Sequence, residues 1–63
     1  MTSRFQEYKD KLSVTHRMTL RKHDREYRVN FVGGSEATAY YTNDLEDAFA
    51  TAIDMRLRDN ARA

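Results

Sequence analysis

The sequence predicts an α+β fold: a three-stranded antiparallel meander with a C-terminal helix packed on one face, in the order β-β-β-α, preceded by a short N-terminal helix. Between residues 12 and 42, apolar and polar residues alternate in three stretches, which is the period of half-buried strands. After residue 43 the apolar spacing becomes that of a helix. The 63 residues include no Pro and no low-complexity linker, so we expect one domain over residues 1–63.

The N-terminal segment predicts a helix over residues 4–11. Ser3 and Gln6 have the spacing of a capping box, in which a side-chain oxygen accepts from the third amide of the helix. Apolar residues follow at helical intervals: Phe5, Tyr8 and Leu12. Leu12 also begins the alternating stretch, so its assignment to helix or strand stays open.

Three strands follow in close succession. The first runs from residue 12 to residue 21, and the polar run 22–26 predicts the turn after it. The second occupies residues 27–32. Gly33-Gly34 then predicts a tight hairpin, because glycine adopts positive φ without strain, and residues 37–42 form the third strand. Strands this close in sequence indicate a meander.

The C-terminal helix is predicted to begin at Asn43, whose side chain can accept from the first amides, with Glu46 three residues later. Its apolar positions share one face: Leu45, Ala48, Phe49, Ala52, Ile53 and Met55. Arg56 falls on that face one turn later, which suggests that the helix has passed the edge of the sheet there. We expect residues 59–63 to fray.

Charge is distributed unevenly along the chain. The net charge is +1, but residues 1–32 carry +4 and residues 33–63 carry −3. Two interpretations stay open: the basic strands attract the acidic helix across the core, or they form a basic surface for an acidic partner. The chain contains no Cys, no apolar run of membrane-spanning length and no signal-peptide pattern, so disulfides and a membrane partner are not expected and the cytoplasm is the expected compartment.

The face of the meander opposite the helix is the predicted binding face. It combines basic, polar and aromatic side chains: Arg17, Thr19, Arg21, Arg28, Asn30 and Tyr40. Arginines around a tyrosine suit phosphate contact with base stacking, whereas an antiparallel sheet with one solvated or dimer-forming side shows the same alternation. Both interpretations stay open.

No catalytic centre, cofactor site or metal site is expected. His16 and His23 lie seven positions apart on different elements, and we expect a hydrogen-bonded, partly buried His16 and an exposed His23. The dense acidic residues already have a role at the start of the helix. None of the serines lies in a nucleophile elbow, and Gly33-Gly34 opens no helix that could bind phosphate.

Two stretches carry a resemblance to known families. Residues 27–31 (Tyr-Arg-Val-Asn-Phe), Gly33-Gly34 and residues 41–48 (Tyr-Thr-Asn-Asp-Leu-Glu-Asp-Ala) resemble the three-strand-plus-helix DNA-binding domains of phage-integrase arm-binding modules and ethylene-response factors. That resemblance implies a sheet face with Arg17, Arg21 and Arg28 in a major groove. The same helix start resembles that of HicB-type antitoxins, which implies a protein partner and self-association.

The sequence therefore predicts a non-enzymatic interaction module from a small bacterial protein family. We expect it to associate with itself or to bind a protein partner, because so small a core leaves Phe5, Tyr8 and Val32 without obvious cover. The alternative is a nucleic-acid-binding module that uses the basic sheet face.

Overall fold

The computed structural model describes residues 3–62 and confirms the α+β fold. One antiparallel sheet has the strand order β1-β2-β3, with an N-terminal helix before it and a long helix after it. The elements are α1 (Arg4–Lys11), a π-helical turn (Leu12–His16), β1 (Met18–His23), β2 (Glu26–Phe31), a 3₁₀ turn (Glu36–Thr38), β3 (Tyr40–Thr42) and α2 (Leu45–Arg62). No helix within residues 3–62 is long and apolar enough to cross a membrane.

Helix α1 begins as predicted, because the Ser3 hydroxyl accepts from the amide of Gln6 at 3.2 Å. Of the two assignments left open for Leu12, the structure shows the helical one, and β1 begins at Met18 rather than at residue 12. The helical path continues through the π-helical turn, which buries Leu12 completely and leaves Val14 85% exposed. Arg17 ends the turn with a left-handed backbone (φ 53°), and the strand begins one residue later. Alternation alone does not separate these two paths, since both bury Leu12.

Strands β1 and β2 form a hairpin around Asp24 and Arg25. Asp24 adopts positive φ (58°), which aspartate tolerates better than most residues, and His23 pairs with Glu26 across the turn. Met18, Leu20 and Val29 are fully buried on one side of this hairpin. We call it the helix side of the sheet and the other side the open side.

The tight hairpin predicted at Gly33-Gly34 is wrong, and β3 begins at Tyr40 rather than at residue 37. The connection spans residues 32–39 and contains the 3₁₀ turn. Only Gly33 has positive φ (77°), whereas Gly34 is needed for close approach: a Cβ there would lie 2.6 Å from Oδ1 of Asn30. The loop therefore packs against the open side of β2.

The capping residue of α2 lies one position later than predicted. Oδ1 of Asp44, not Asn43, accepts from the amides of Glu46 (2.9 Å) and Asp47 (3.2 Å). The predicted apolar face is confirmed, since Ala48 and Ala52 are fully buried and its other members pack against the core. The helix also continues through the tail, which we expected to fray, as far as Arg62.

Both helices cover the same side of the sheet. The ring of Tyr8 stacks on Phe49 at 4.1 Å between centroids, and Phe5 lies 5.9 Å from the ring of Tyr27. The Tyr8 hydroxyl donates to Glu46 at 2.6 Å, a bond that raises the pKa of Tyr8. The expectation that Phe5 and Tyr8 lack cover is therefore wrong, because α1 turns them onto the core.

The outer edge of β1 is closed as well. Met18 and Leu20 have exposures of 0% and 1%, so neither their side chains nor their main-chain groups are open to a partner strand. The N-terminal segment lies beside them, since Lys9 and Ser13 line the shallow groove along this edge. Covering an edge with a helix prevents edge-to-edge pairing.

Arg56 packs against the end of the sheet instead of passing beyond it. Its guanidinium lies 4.8 Å from the ring centre of Phe31 and donates to the main-chain oxygens of His16 (2.7 Å) and Arg17 (3.2 Å). It also forms a salt bridge with Asp59 at 2.9 Å. Arg56 thus joins α2 to the carbonyls at the end of the π-helical turn.

We predict that Asn30→Ala lowers the free energy of unfolding by about 1–3 kcal/mol, because it removes the three hydrogen bonds that the buried Asn30 amide makes with Phe31, Ser35 and Thr38. Urea unfolding followed by circular dichroism measures this change. The control is Asn60→Ala on the exposed surface of α2, which we expect to change stability by less than about 0.5 kcal/mol. Equal effects of the two substitutions would contradict the assigned role of Asn30.

Candidate functional site

The structure divides the six residues of the predicted binding face. Arg21 and Arg28 lie on the open side and pair directly with each other across β1 and β2. Thr19 and Asn30 form the next pair on that side, where the loop of residues 32–39 covers Asn30. Arg17 precedes β1 and is exposed.

Tyr40 does not lie on the open side, so its placement there is wrong. It pairs with Val29, which is fully buried on the helix side, and its hydroxyl donates to Asp47 of α2 at 2.6 Å. This bond raises the pKa of Tyr40 and lowers that of Asp47. Tyr41 takes the open side opposite Arg28. The later start of β3 explains the exchange, because side chains alternate between the two faces of a strand.

Asn30 is 1% exposed, which also contradicts its placement on an accessible face. Its Oδ1 accepts from the amide of Phe31 (2.8 Å) and the hydroxyl of Thr38 (2.6 Å), and its Nδ2 donates to the carbonyl of Ser35 (2.9 Å). The hydroxyl of Thr19 is also turned inward, toward the carbonyl of Asn30 at 3.3 Å. The Asn30 side chain holds the loop, and the Thr19 hydroxyl is paired within the sheet.

Arg28 belongs to a cluster with Glu36 and Tyr41. Its Nη2 lies 3.2 Å from Oε1 of Glu36, and its Nε donates to the Tyr41 hydroxyl at 3.3 Å. That hydroxyl in turn donates to the Glu36 carboxylate. The Tyr41 hydroxyl, reinforced by the Arg28 charge, lowers the pKa of Glu36, and the same contacts raise the pKa of Arg28. The cluster is a carboxylate-binding arrangement with an internal carboxylate in place.

Arg21 differs from Arg28 in that no carboxylate of residues 3–62 forms a salt bridge with it. Within residues 3–62 its side chain forms no hydrogen bond and no salt bridge. Two depressions flank the Arg21–Arg28 pair, one of 500 Å³ that also includes Tyr41 and one of 370 Å³ that reaches Gly33 and Gly34. The accessible part of the open side is therefore the area around these two arginines.

Sequence reasoning missed Glu36 and Tyr41 as neighbours of Arg28. Their positions follow from the length of the loop between β2 and β3, which no local pattern specifies. The polar residues that cluster after β2, namely Ser35, Glu36 and Thr38, are the only signal of a structured loop in place of a hairpin.

A second surface feature lies at the end of the sheet where the π-helical turn meets α2. Val14 and Leu57, which are 85% and 60% exposed, line a common cavity of 640 Å³ together with Arg17. Val32, which is 62% exposed, does not line this cavity. It lies opposite Arg17, and the alternation that puts Arg28 and Asn30 on the open side puts its side chain there as well. We call Val14 and Leu57 the end patch.

The two histidines do not form a site together. Nδ1 of His16 is buried and has no hydrogen-bond partner among residues 3–62, in contrast to the expected hydrogen-bonded histidine, while His23 is exposed in the β1–β2 hairpin. No three His, Asp or Glu side chains of the described part of the chain are arranged to hold a metal ion.

Comparisons with protein-family models, with curated proteins and with solved structures gave no match for this chain. The resemblances to the DNA-binding domains and to HicB-type antitoxins stay predictions, and function is argued from the geometry alone.

We predict that Glu36→Gln reduces the loss of stability in acid. Because the folded state lowers the pKa of Glu36, its ionised form stabilises the fold above the ordinary glutamate pKa of about 4.3, and this contribution disappears as the pH falls through the lowered value. The urea midpoint should therefore fall less between pH 7 and pH 3 in Glu36→Gln than in the wild type. The control Glu7→Gln, on the exposed surface of α1, should retain the wild-type difference. An unchanged pH dependence in Glu36→Gln would disprove the cluster.

Proposed function

We propose that this chain is a non-enzymatic interaction module that binds protein, either a second copy of itself or another chain. The observation that carries the proposal is the end patch, in which two aliphatic side chains that are more than half exposed line one cavity. Grouped exposed apolar side chains are typical of protein-binding surfaces. A partner strand cannot pair with β1 where Met18 and Leu20 are buried, so a partner would bind there through side-chain contacts.

The size of the core supports the proposal. Within residues 3–62 the fully buried apolar residues number six, and two of them are alanines: Leu12, Met18, Leu20, Val29, Ala48 and Ala52. A domain this small gains stability by covering further apolar surface in an assembly. A second copy seated on the end patch would supply that cover.

Binding of nucleic acid is the second candidate, and the exposed Arg17 and Arg21 favour it. The pairing of Arg28 with Glu36 opposes it, whereas Lys9 and Lys22, which line the same depression as Arg21, add positive charge. A phosphate backbone requires a row of cations. The loop of residues 32–38 interrupts such a row between Arg21 and the end of the sheet.

For the leading proposal we predict a mass near twice 7.4 kDa by sedimentation at tens of micromolar protein. Replacing Val14 and Leu57 together by Ser should return the protein to a monomer, since both side chains are exposed and their loss leaves the core intact. The control Ala50→Ser, on the exposed surface of α2, should remain associated. A wild-type monomer at this concentration would contradict self-association and leave another chain as the occupant of the end patch.

For the second candidate we predict no binding at physiological salt. A random-sequence duplex and a random single strand, added to ¹⁵N-labelled protein, should cause no NMR shifts at residues 17–21 and 28–32. If these residues do shift, the affinity should fall as salt rises, and Arg28→Ala should flatten the salt slope by about one unit. That outcome would establish the nucleic-acid function. Tyr41, rather than Tyr40, would then be the residue available to stack on a base.

A further inference from the structure

Two arginines face each other directly on the open side of the sheet. Arg21 and Arg28 are register partners. The bond from the amide of Val32 to the carbonyl of Arg17 identifies the hydrogen-bonded positions of this ladder, which recur at every second residue and include Arg21 and Arg28. Their Cα atoms are then about 5.5 Å apart. Like charges in directly opposed positions destabilise a sheet unless an anion lies between them.

A carboxylate neutralises one of these two arginine charges, and the other arginine is exposed. Arg28 is held by Glu36 and Tyr41, and its side chain is 25% exposed. Arg21 is exposed and, in the part of the chain that the structure describes, bonds to no carboxylate. Glu26 shares the larger depression with it but lies outside salt-bridge distance. One guanidinium of the pair is therefore available to an external anion.

The two depressions beside the arginine pair could accommodate a short extended segment of a partner protein. Arg21 and Arg28 line both depressions, so the arginine pair is the ridge between them. Side chains two positions apart on an extended segment point the same way, as in a strand. Such a segment could place side chains in the two depressions and bring its backbone or an acidic side chain to Arg21.

We propose that Arg21 and Arg28 form a clamp that binds a carboxylate of an extended protein segment. In the free protein, the Glu36 carboxylate already occupies the Arg28 side of this clamp. This inference rests on the proposed function in one respect, that the partner is a protein. The clamp and the end patch are different surfaces. The cluster of Glu36 with Arg28 and the Tyr41 hydroxyl shows which anion chemistry fits: a planar carboxylate that accepts from a guanidinium and a phenol.

The surroundings of the pair are basic. Lys9 and Lys22 line the larger depression together with both arginines, beside Glu26. No carboxylate of residues 3–62 pairs with Arg21, whereas Glu36 pairs with Arg28. The preferred ligand thus carries an acidic side chain that reaches Arg21.

The test uses the full chain and two acetylated, amidated heptapeptides that differ at one position. The first is Thr-Thr-Val-Glu-Val-Thr-Thr, and the second has Gln in place of Glu. ¹⁵N NMR of the arginine Nε–H groups reports binding at Arg21 and Arg28 separately. We expect the Glu peptide to shift the Arg21 signal and to bind at least fivefold tighter than the Gln peptide.

Three variants sharpen the result. Arg21→Gln should weaken the Glu peptide at least fivefold, whereas Arg58→Gln, which makes the same charge change on α2, should leave its affinity unchanged. Glu36→Gln should strengthen binding severalfold, because it frees Arg28 for the external carboxylate. A merely structural Arg21 would not distinguish the Glu peptide from the Gln peptide.

The failure of the clamp is distinguishable from the failure of the proposed function. Equal affinity for the two peptides, or no shift at Arg21 with either, would overturn the clamp while self-association through the end patch is measured separately by sedimentation. A single-stranded oligothymidine that shifts Arg21 at physiological salt at least as strongly as the Glu peptide would also overturn it, in favour of nucleic acid.

Discussion

The hydrogen bonding of the buried Asn30 side chain is the constraint on which the open side of the molecule depends. A buried amide must pair its oxygen and its nitrogen, and Asn30 does so with the backbone and side chains of the loop that follows β2. The loop is thereby folded back onto the strand. Gly34 permits this approach because any side chain there would collide with the Asn30 oxygen.

The position of this loop determines the neighbours of Arg28. Since the loop takes up residues 32–39, β3 begins late, and Tyr41 rather than Tyr40 lies beside Arg28. The 3₁₀ turn at the same time brings the Glu36 carboxylate to both. The carboxylate cluster around Arg28 is therefore a consequence of how one buried amide is satisfied.

On the helix side, the contacts between elements differ: carboxylates of α2 accept hydrogen bonds from tyrosines of α1 and β3. Glu46 accepts from Tyr8 and pairs with Arg4, and Asp47 accepts from Tyr40. The interpretation that the basic half of the chain attracts the acidic helix is supported here by a single salt bridge, from α1 rather than from a strand. Exposed pairs of this kind add little stability, so apolar packing remains the main force between the layers.

The sequence by itself determined the fold class, the α1 cap at Ser3, the apolar face of α2 and the burial of Met18, Leu20 and Val29, because each depends on local spacing. Only the tertiary structure decided where β1 and β3 begin, which tyrosine faces the open side, and that Asn30 is buried. The burial of Leu12 fits a strand and a helical turn equally well, and it is the exposed Val14 that breaks the alternation. Gly-Gly likewise fits both a hairpin and a loop. The choice was made by contacts between residues distant in sequence, of which the Arg56 bonds to the carbonyls of His16 and Arg17 are one example.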